Sequence, residues 1–310
     1  MPLRQEIAAT LPIDTQYLPT PDRHLNIDGL GPCTAQKDRS LHLKSGEPVT
    51  VLVHGCHASA GRFRSLAEVF AFQGQQAICY NYDDRASLTR VARELRRTLD
   101  TLAEKTDHPA ITLIGHSQGG LISRRALSER VDDAPNLNTN RQQLITLSTP
   151  FSGIRSADHC ASKTARILSL GLVIPICMAI SGDKWFEITR ASKFIRQPGR
   201  LHTNVKDHLI IATDERDSCR TWEDNRCRED DYVFSLAEQA LPSAMTDSVV
   251  RNRVVKAGHA EIVGYGESIP HTLISTLQEE GILRETKRAR LGDYNELLKV
   301  LFLQPRQASR

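Results

Sequence analysis

The stretch that decides the fold of this chain is Ile-Thr-Leu-Ile-Gly-His-Ser-Gln-Gly-Gly, residues 111–120. Its first four residues have the apolar, β-branched character of a buried strand, and the residues after Gly119 have a helical pattern. Between them lies a G-x-S-x-G motif centred on Ser117, which requires this strand–turn–helix setting. A chain that reverses so tightly has no room for neighbouring side chains, which explains Gly115 and Gly119. The pattern predicts that the Ser117 hydroxyl projects alone above a sheet, beside the positive end of a helix, and acts as a nucleophile.

The sequence on both sides continues an alternation of strands and helices. Strands are predicted over residues 40–44, 48–54, 76–82, 111–114, 144–147, 209–212 and 254–256. Helices are predicted over residues 61–72, from Ser87 to about residue 102, and over 119–130, 270–280 and 293–303. Short connections between such elements predict a mostly parallel central sheet flanked by helices, which is an α/β fold.

Composition excludes several classes of protein. The 310 residues are 40% hydrophobic and 25% charged, with a net charge of +3, which is typical of a globular domain rather than a disordered chain or a membrane bundle. The sequence lacks the interleaved basic and aromatic residues that would indicate nucleic acid as a partner. The longest apolar run, residues 167–180, is shorter than the roughly 20 residues of a membrane-spanning helix. The N-terminus has no apolar core of a signal peptide, so the default expectation is a cytoplasmic protein.

Three segments resemble the α/β-hydrolase family, and in particular bacterial lipases and esterases. ITLIGHSQGG resembles their nucleophile elbow, VTVLVHG ending at Gly55 resembles the strand before their oxyanion loop, and ITLSTPFSG at 145–153 resembles a Thr-Pro-His-x-Gly strand end, with Phe151 in place of histidine. The resemblance implies an α/β-hydrolase fold with an inserted cap. It also implies a serine hydrolase that cleaves carboxylic acyl esters through a covalent acyl-enzyme.

The same resemblance assigns the other catalytic groups, which follow the nucleophile in the order acid, then histidine. His259 lies directly after the last predicted strand and is expected to be the base, whereas His271 begins a helix and fits a surface position better. The backbone N–H groups of Cys56 and Gln118 are expected to form the oxyanion hole. No catalytic metal or other cofactor is implied, because the spacing of His54, Cys56 and His57 matches none of the standard zinc patterns.

The acid is expected between the strand at 209–212 and His259. The stretch Asp230-Asp231-Tyr232-Val233 resembles an Asp-Gly-x-Val loop of the family, which favours Asp230, and a slip of one residue makes the acid Asp231. Asp214, Asp217 and Asp224 are further candidates, which also fit ordinary loop positions. On this sequence pattern we predict a Ser117–His259–Asp230 triad, with Asp231 as the alternative.

Residues 155–205 fall where the family inserts a cap, so we expect a catalytic domain made of 1–154 and 206–310 with a cap or lid between them. The apolar run inside this cap would cover an acyl chain or contact a lipid surface, or else pack as a core helix. The expected partner is a small acyl ester or lipid substrate, with no nucleic acid. Two alternatives remain: an acyltransferase with the same triad, and a non-catalytic binding protein on the same fold.

The seven cysteines bear on the cellular compartment. Cys219 and Cys227 are close in a polar segment, so we hypothesise a disulfide between them, which would indicate a periplasmic or secreted protein. Cys79 lies in a predicted strand and is interpreted as a small buried apolar residue.

Overall fold

A seven-stranded sheet forms the centre of the part of the chain that the computed structural model describes, namely residues 11–107, 109–129, 142–158, 182–224, 226–242, 248–264 and 268–303. The strands are β1 (Arg23–Leu25), β2 (Leu30–Gly31), β3 (Leu41–Leu43), β4 (Val49–Val53), β5 (Gln76–Tyr80), β6 (Ile111–His116), β7 (Gln142–Leu147), β8 (Val205–Asp214), β9 (Cys219–Glu223), β10 (Arg226–Asp230) and β11 (Val250–Lys256). The helices are α1 (Arg64–Phe72), α2 (Leu88–Lys105), α3 (Gln118–Ala126), α4 (Lys193–Arg196), α5 (Leu236–Gln239), α6 (His271–Glu279) and α7 (Leu291–Phe302).

The strand order in the central sheet is β11-β8-β7-β6-β4-β5-β2, and every neighbouring pair is parallel except β2 with β5. The carboxyl ends of β4, β6, β7, β8 and β11 therefore meet along one edge of the sheet, where ligand sites of open parallel sheets form. This architecture confirms the predicted α/β fold. Two smaller antiparallel pairs, β1–β3 and β9–β10, lie outside the sheet.

Helices cover both faces of the sheet. In β4, Val51 and Val53 pack into one hydrophobic cluster with Leu95 of α2, whereas Leu52 packs into a second cluster with Phe70 of α1. Successive side chains of a strand point to opposite faces, so a strand covered on both sides is expected to be apolar on both faces. This expectation accounts for the four valine and leucine residues of β4, which is buried at all five positions, Thr50 included.

The edge strand β11 begins four residues earlier than predicted. Its first half contains Arg251, Asn252 and Arg253, which have no apolar pattern. Both arginines form ion pairs. Arg251 contacts Asp207 and Glu280 at 2.8 and 2.7 Å, and Arg253 contacts Glu279 at 2.7 Å. An edge strand needs burial on fewer sides than a central strand, so its polar half carries little sequence signal.

The structure contains two disulfides among the described cysteines. Cys219 pairs with Cys227 across the β9–β10 hairpin, as hypothesised from the sequence. Cys33 pairs with Cys79 of β5, so interpreting Cys79 as an unpaired apolar residue was wrong. The sequence separation of 46 residues hid this pairing. No helix of the described segments has both the length and the apolarity needed to cross a bilayer.

A buried histidine in β8 makes the stability of the fold sensitive to acid. Burial, and secondarily the charge of Arg124, lowers the pKa of His208 to about 3. Below its unfolded-state pKa of about 6.5, the unfolded chain binds a proton that the folded chain does not, so stability falls as pH falls from about 6.5 towards 3. We expect His208→Leu to lessen this loss by up to about 1.4 kcal/mol per pH unit, as measured by urea unfolding. The exposed His271→Gln variant should keep the wild-type slope, and equal slopes for all three proteins would contradict the prediction.

Candidate active site

Ser117 lies on the tight turn between β6 and α3, with φ 55° and ψ −123°. A side chain at either neighbouring glycine would collide with backbone: a Cβ at Gly115 would lie 2.6 Å from the Gly119 oxygen, and one at Gly119 would strike the Val53 and His54 carbonyls. The Ser117 N–H donates to the Leu147 carbonyl at 2.8 Å, which ties the turn to the neighbouring strand. A left-handed backbone at a residue other than glycine is costly and persists where the surrounding structure enforces it.

His259 follows β11 at the same edge of the sheet. Its ring nitrogen Nδ1 lies 3.1 Å from Oε1 of Glu215, the residue directly after β8. The Ser148 hydroxyl, directly after β7, lies 2.7 Å from the same Nδ1 and donates to Glu215 Oε1 at 2.6 Å. The segments that follow three adjacent strands thus place a carboxylate, a hydroxyl and an imidazole within hydrogen-bond distance of one another.

Glu215 is buried, and its carboxylate accepts hydrogen bonds from every side. In addition to His259 and Ser148, the Thr213 hydroxyl donates to Oε1 at 2.9 Å, and the backbone N–H groups of Val233 and Phe234 donate to Oε2 at 2.6 and 2.7 Å. Burial acts to raise the pKa of Glu215, but these hydrogen bonds and the charge on His259 outweigh it, so the pKa lies below the usual glutamate value. The ionised form of Glu215 is therefore stabilised where it faces His259.

The aspartates predicted from the sequence occupy other positions. Asp230 is exposed at the end of β10 and accepts from the N–H of Tyr232. Asp231 is buried, but its carboxylate accepts from the N–H groups of Ala260 and Glu261 at 2.9 Å and pairs with Arg220. Asp231 thus holds the backbone of the histidine loop, whereas the carboxylate against the His259 ring belongs to Glu215. The structure therefore does not support the predicted contact of Asp230, or of Asp231, with the imidazole.

Sequence reasoning missed Glu215 because the comparison with an Asp-Gly-x-Val loop considered only aspartates. A usable signal was present: Glu215 is the first residue after the long apolar strand β8. The position directly after that strand is where the chain reaches the functional edge of the sheet.

A second imidazole supports His259 from the side of the elbow. His116, between Gly115 and Ser117, directs Nε2 to the carbonyl of His259 at 2.8 Å, and the two rings lie 4.8 Å apart. Burial, and secondarily the charge of His259, holds the pKa of His116 well below its usual value. A neutral His116 with a carbonyl acceptor must carry its proton on Nε2 and donate it, so it fixes the backbone of His259 without adding positive charge.

The loop after β4 passes directly beside Ser117. A Cβ on Gly55 would lie 3.0 Å from the Ser117 Cβ, which explains glycine there. His54 stacks on Tyr82 at 4.3 Å, and the Tyr82 hydroxyl donates to the His54 carbonyl at 2.7 Å. The Gln118 N–H, in the first turn of α3, has no intrahelical acceptor. Of the residues proposed from the sequence for the oxyanion hole, Gln118 thus follows Ser117 directly, and Cys56 follows the glycine that lies against Ser117.

Cys56 is the free cysteine of the described residues. Burial raises the pKa of its thiol above the usual value, and this effect outweighs the opposing effect of Lys184. A protonated thiol is a poor nucleophile, so Ser117 remains the better candidate. The thiol, His57 and Asp84 have ligand atoms within 4.8 Å of one another, but the Lys184 ammonium lies 3.0 Å from the Cys56 sulfur and already supplies a positive charge there.

A parallel sheet with a strained serine after a central strand, an acid after β8 and a histidine after the edge strand defines the α/β-hydrolase class of protein. The chain belongs to the palmitoyl protein thioesterase family, whose model matches residues 48–232, more than half of its length. It is therefore a hydrolase of the α/β-hydrolase superfamily.

Solved structures show the same fold. The mature form of lipase BlEst2 from Bacillus licheniformis matches with a TM-score of 0.50 and 17% identity, over 78% of this chain and 94% of that one. Its propeptide form matches with a TM-score of 0.55 and 18% identity, over 87% of this chain and 55% of that one. At these identities the likeness concerns the fold alone. No curated protein matches the sequence significantly.

Proposed function

We propose that this protein is a serine hydrolase that cleaves acyl esters or thioesters, with Ser117 as nucleophile, His259 as general base and Glu215 as the acid. The observation that carries the proposal is the 3.1 Å contact between His259 Nδ1 and Glu215, at the sheet edge where Ser117 stands on its strained turn. Membership in the palmitoyl protein thioesterase family and the fold of a lipase support the same chemistry.

The proposed reaction begins when Ser117 attacks the acyl carbon and His259 Nε2 takes the hydroxyl proton. Glu215 keeps the opposite nitrogen, Nδ1, protonated and stabilises the imidazolium that forms. The tetrahedral intermediate collapses when His259 gives the proton to the leaving alcohol or thiol. Water then attacks the acyl carbon of the acyl-enzyme, and His259 accepts the water proton. The bond between the acyl carbon and Ser117 Oγ breaks when His259 returns that proton to Oγ, which releases the acid and restores Ser117.

The oxygen of the tetrahedral intermediate carries a full negative charge. In the proposed site the N–H groups of Cys56 and Gln118 bind it, and the positive end of α3 adds to their effect. Both N–H groups belong to the backbone near Ser117, because Gln118 follows Ser117 directly and Cys56 follows Gly55, which lies against the Ser117 Cβ. Loss of one such donor typically costs about 100- to 1,000-fold in rate.

The substrate class is tested with p-nitrophenyl oxygen esters and matched acyl thioesters, from acetyl to palmitoyl. We expect hydrolysis by the wild-type protein and none by Ser117→Ala. The ratio of kcat/KM for the two series assigns the bond type, and rates rising towards palmitoyl would support the proposal that residues 155–205 form a cap over an acyl chain. Hydrolysis that persists in Ser117→Ala would overturn the proposed function.

Ser148 is expected to hold the histidine and the acid in register. Its hydroxyl donates to Glu215 and accepts from the Nδ1 proton of His259, and it is fully buried. We expect Ser148→Ala to lower kcat about tenfold by loosening the imidazole, with KM little changed. Since Ser148 has φ 44°, Ser148→Gly should show the same loss of kcat but be more stable than the alanine variant by about 1 kcal/mol. Wild-type kcat in both variants would contradict this role.

The two disulfides among the described cysteines support the proposal that this protein works in an oxidising compartment, periplasmic or extracellular. Alkylation of the denatured, unreduced native protein followed by peptide mapping should modify Cys56 and leave Cys33, Cys79, Cys219 and Cys227 unmodified. Complete alkylation of those four cysteines would instead indicate a reducing compartment.

A further inference from the structure

The segment 182–189 brings a lysine to the side chains of the two residues proposed for the oxyanion hole. The Lys184 side chain is only 2% exposed. Its ammonium donates to the Cys56 sulfur at 3.0 Å, to the Gln118 side-chain oxygen at 2.5 Å and to the Asp84 carbonyl. An ammonium has three N–H donors, so these three acceptors use all of them. Two of the three belong to the residues whose backbone N–H groups we assign to the oxyanion hole.

The Gln118 side chain is held from both ends. Its oxygen accepts from Lys184, and its nitrogen donates to the Asp84 carbonyl at 3.0 Å. Asp84 in turn accepts from the His57 N–H at 2.6 Å through Oδ2. The loop after β4, the start of α3 and the residues after β5 are therefore joined through the lysine.

The backbone around Lys184 is anchored independently of the ammonium. The Asp183 N–H donates to the Arg85 carbonyl at 2.8 Å. The Glu187 carboxylate caps helix α2, accepting from the Leu88 N–H at 2.5 Å, the Thr89 N–H at 3.3 Å and the Thr89 hydroxyl at 2.5 Å. A carboxylate at a helix N-terminus is favourable because it meets unpaired N–H groups and the positive end of the dipole. This cap fixes the position of the segment, and the segment delivers the lysine.

Burying an ammonium is costly. The Asp84 carboxylate, which interacts electrostatically with Lys184, offsets part of this cost. A fixed positive charge in a water-poor site also acts more strongly on a developing negative charge than it would in solvent. We propose that Lys184 is a positioning residue of the oxyanion hole: it holds Cys56 and Gln118 in place and favours the negatively charged intermediate. The inference rests on the proposed hydrolase function and adds to it a cation supplied by the segment between β7 and β8.

The test compares Lys184→Met with Lys193→Met, an exposed lysine of the same segment, in the full-length protein. Active protein is counted by a fluorophosphonate titration of Ser117. We expect Lys184→Met to lower kcat about 10- to 100-fold with KM changed less than about threefold. The affinity for an alkyl trifluoromethyl ketone, which forms a charged hemiketal with Ser117, should fall by a similar factor. Lys193→Met should keep wild-type values.

A second variant covers the case in which Lys184→Met does not fold. Glu187→Gln weakens the helix cap while keeping Lys184, and it should lower kcat and ketone affinity together by a smaller factor. Wild-type kcat and ketone affinity per titrated site in Lys184→Met would overturn the inference, even if the Tm of that variant is lower. If Lys184→Met cannot be studied, the same result in folded Glu187→Gln would overturn it. Failure of the proposed function itself is distinguishable, because Ser117 in the wild-type protein would then not be labelled.

Discussion

Replacing Glu215 with glutamine is expected to lower kcat about 10,000-fold, with a much smaller change in KM. The amide has nearly the shape of the carboxylate but no charge to stabilise the imidazolium. It also directs either a neutral oxygen or an N–H group at His259, and the N–H group would favour the wrong tautomer. The measurement is kcat and KM on the best ester from the substrate series, with circular dichroism as a check of folding.

Two matched controls separate this role from the aspartates favoured by the sequence. Asp230→Asn should retain kcat within about twofold, since its carboxylate is exposed and binds the N–H of Tyr232. Asp231→Asn should mainly lower stability, because an amide cannot accept from the Ala260 and Glu261 N–H groups as strongly as a carboxylate does. A large loss of kcat in Asp230→Asn, with near-normal activity in Glu215→Gln, would show that the catalytic acid is Asp230, as predicted from the sequence, and not Glu215.

Replacing Ser117 with alanine should lower kcat about a million-fold, the largest effect expected for any single change. Without the Ser117 hydroxyl no acyl-enzyme can form, and His259 has no nucleophile from which to accept a proton. A fluorophosphonate should label the wild-type protein once, on the peptide that contains Ser117, and should not label the variant. The measurement is intact mass followed by peptide mapping.

Ser148→Ala serves as the matched control for this labelling, because it removes a buried hydroxyl of the same site and leaves Ser117 in place. It should still be labelled, at a reduced rate. Labelling of the Ser117→Ala protein at another residue would show that the nucleophile is not Ser117. Cys56 would be the first position to inspect, because it lies in the adjacent loop. The raised pKa of the Cys56 thiol argues against that outcome.

The local part of the candidate site could be predicted from the sequence because its determinants are neighbours in the chain. The elbow needs a strand, glycines at 115 and 119, and a helix, all within a short stretch. His259 could be located in the same way, since it follows the last strand directly. The alternation of strands and helices predicted the parallel sheet, and the mostly apolar sequence of strands such as β4 predicted their burial on both faces.

Contacts between distant segments could not be predicted in this way. Glu215 reaches His259 only because β8 and β11 are adjacent and parallel in the sheet, and Ser148 joins them from β7. Cys33 meets Cys79 from 46 residues away. Nothing in the sequence around residue 184 predicts that its lysine is buried between Cys56 and Gln118.

The sequence by itself therefore determined the class of fold, the turn that carries Ser117 and the position of His259, because each depends on the order of residues along one strand and its following loop. The tertiary structure decided which carboxylate faces the imidazole and which cation contacts the side chains of Cys56 and Gln118. The physical reason is that the partner of a buried charge is selected by three-dimensional proximity and by the hydrogen bonds available there. Asp230 matched a motif but lies in solvent, whereas Glu215 matched none and is held by five hydrogen bonds at the ring of His259.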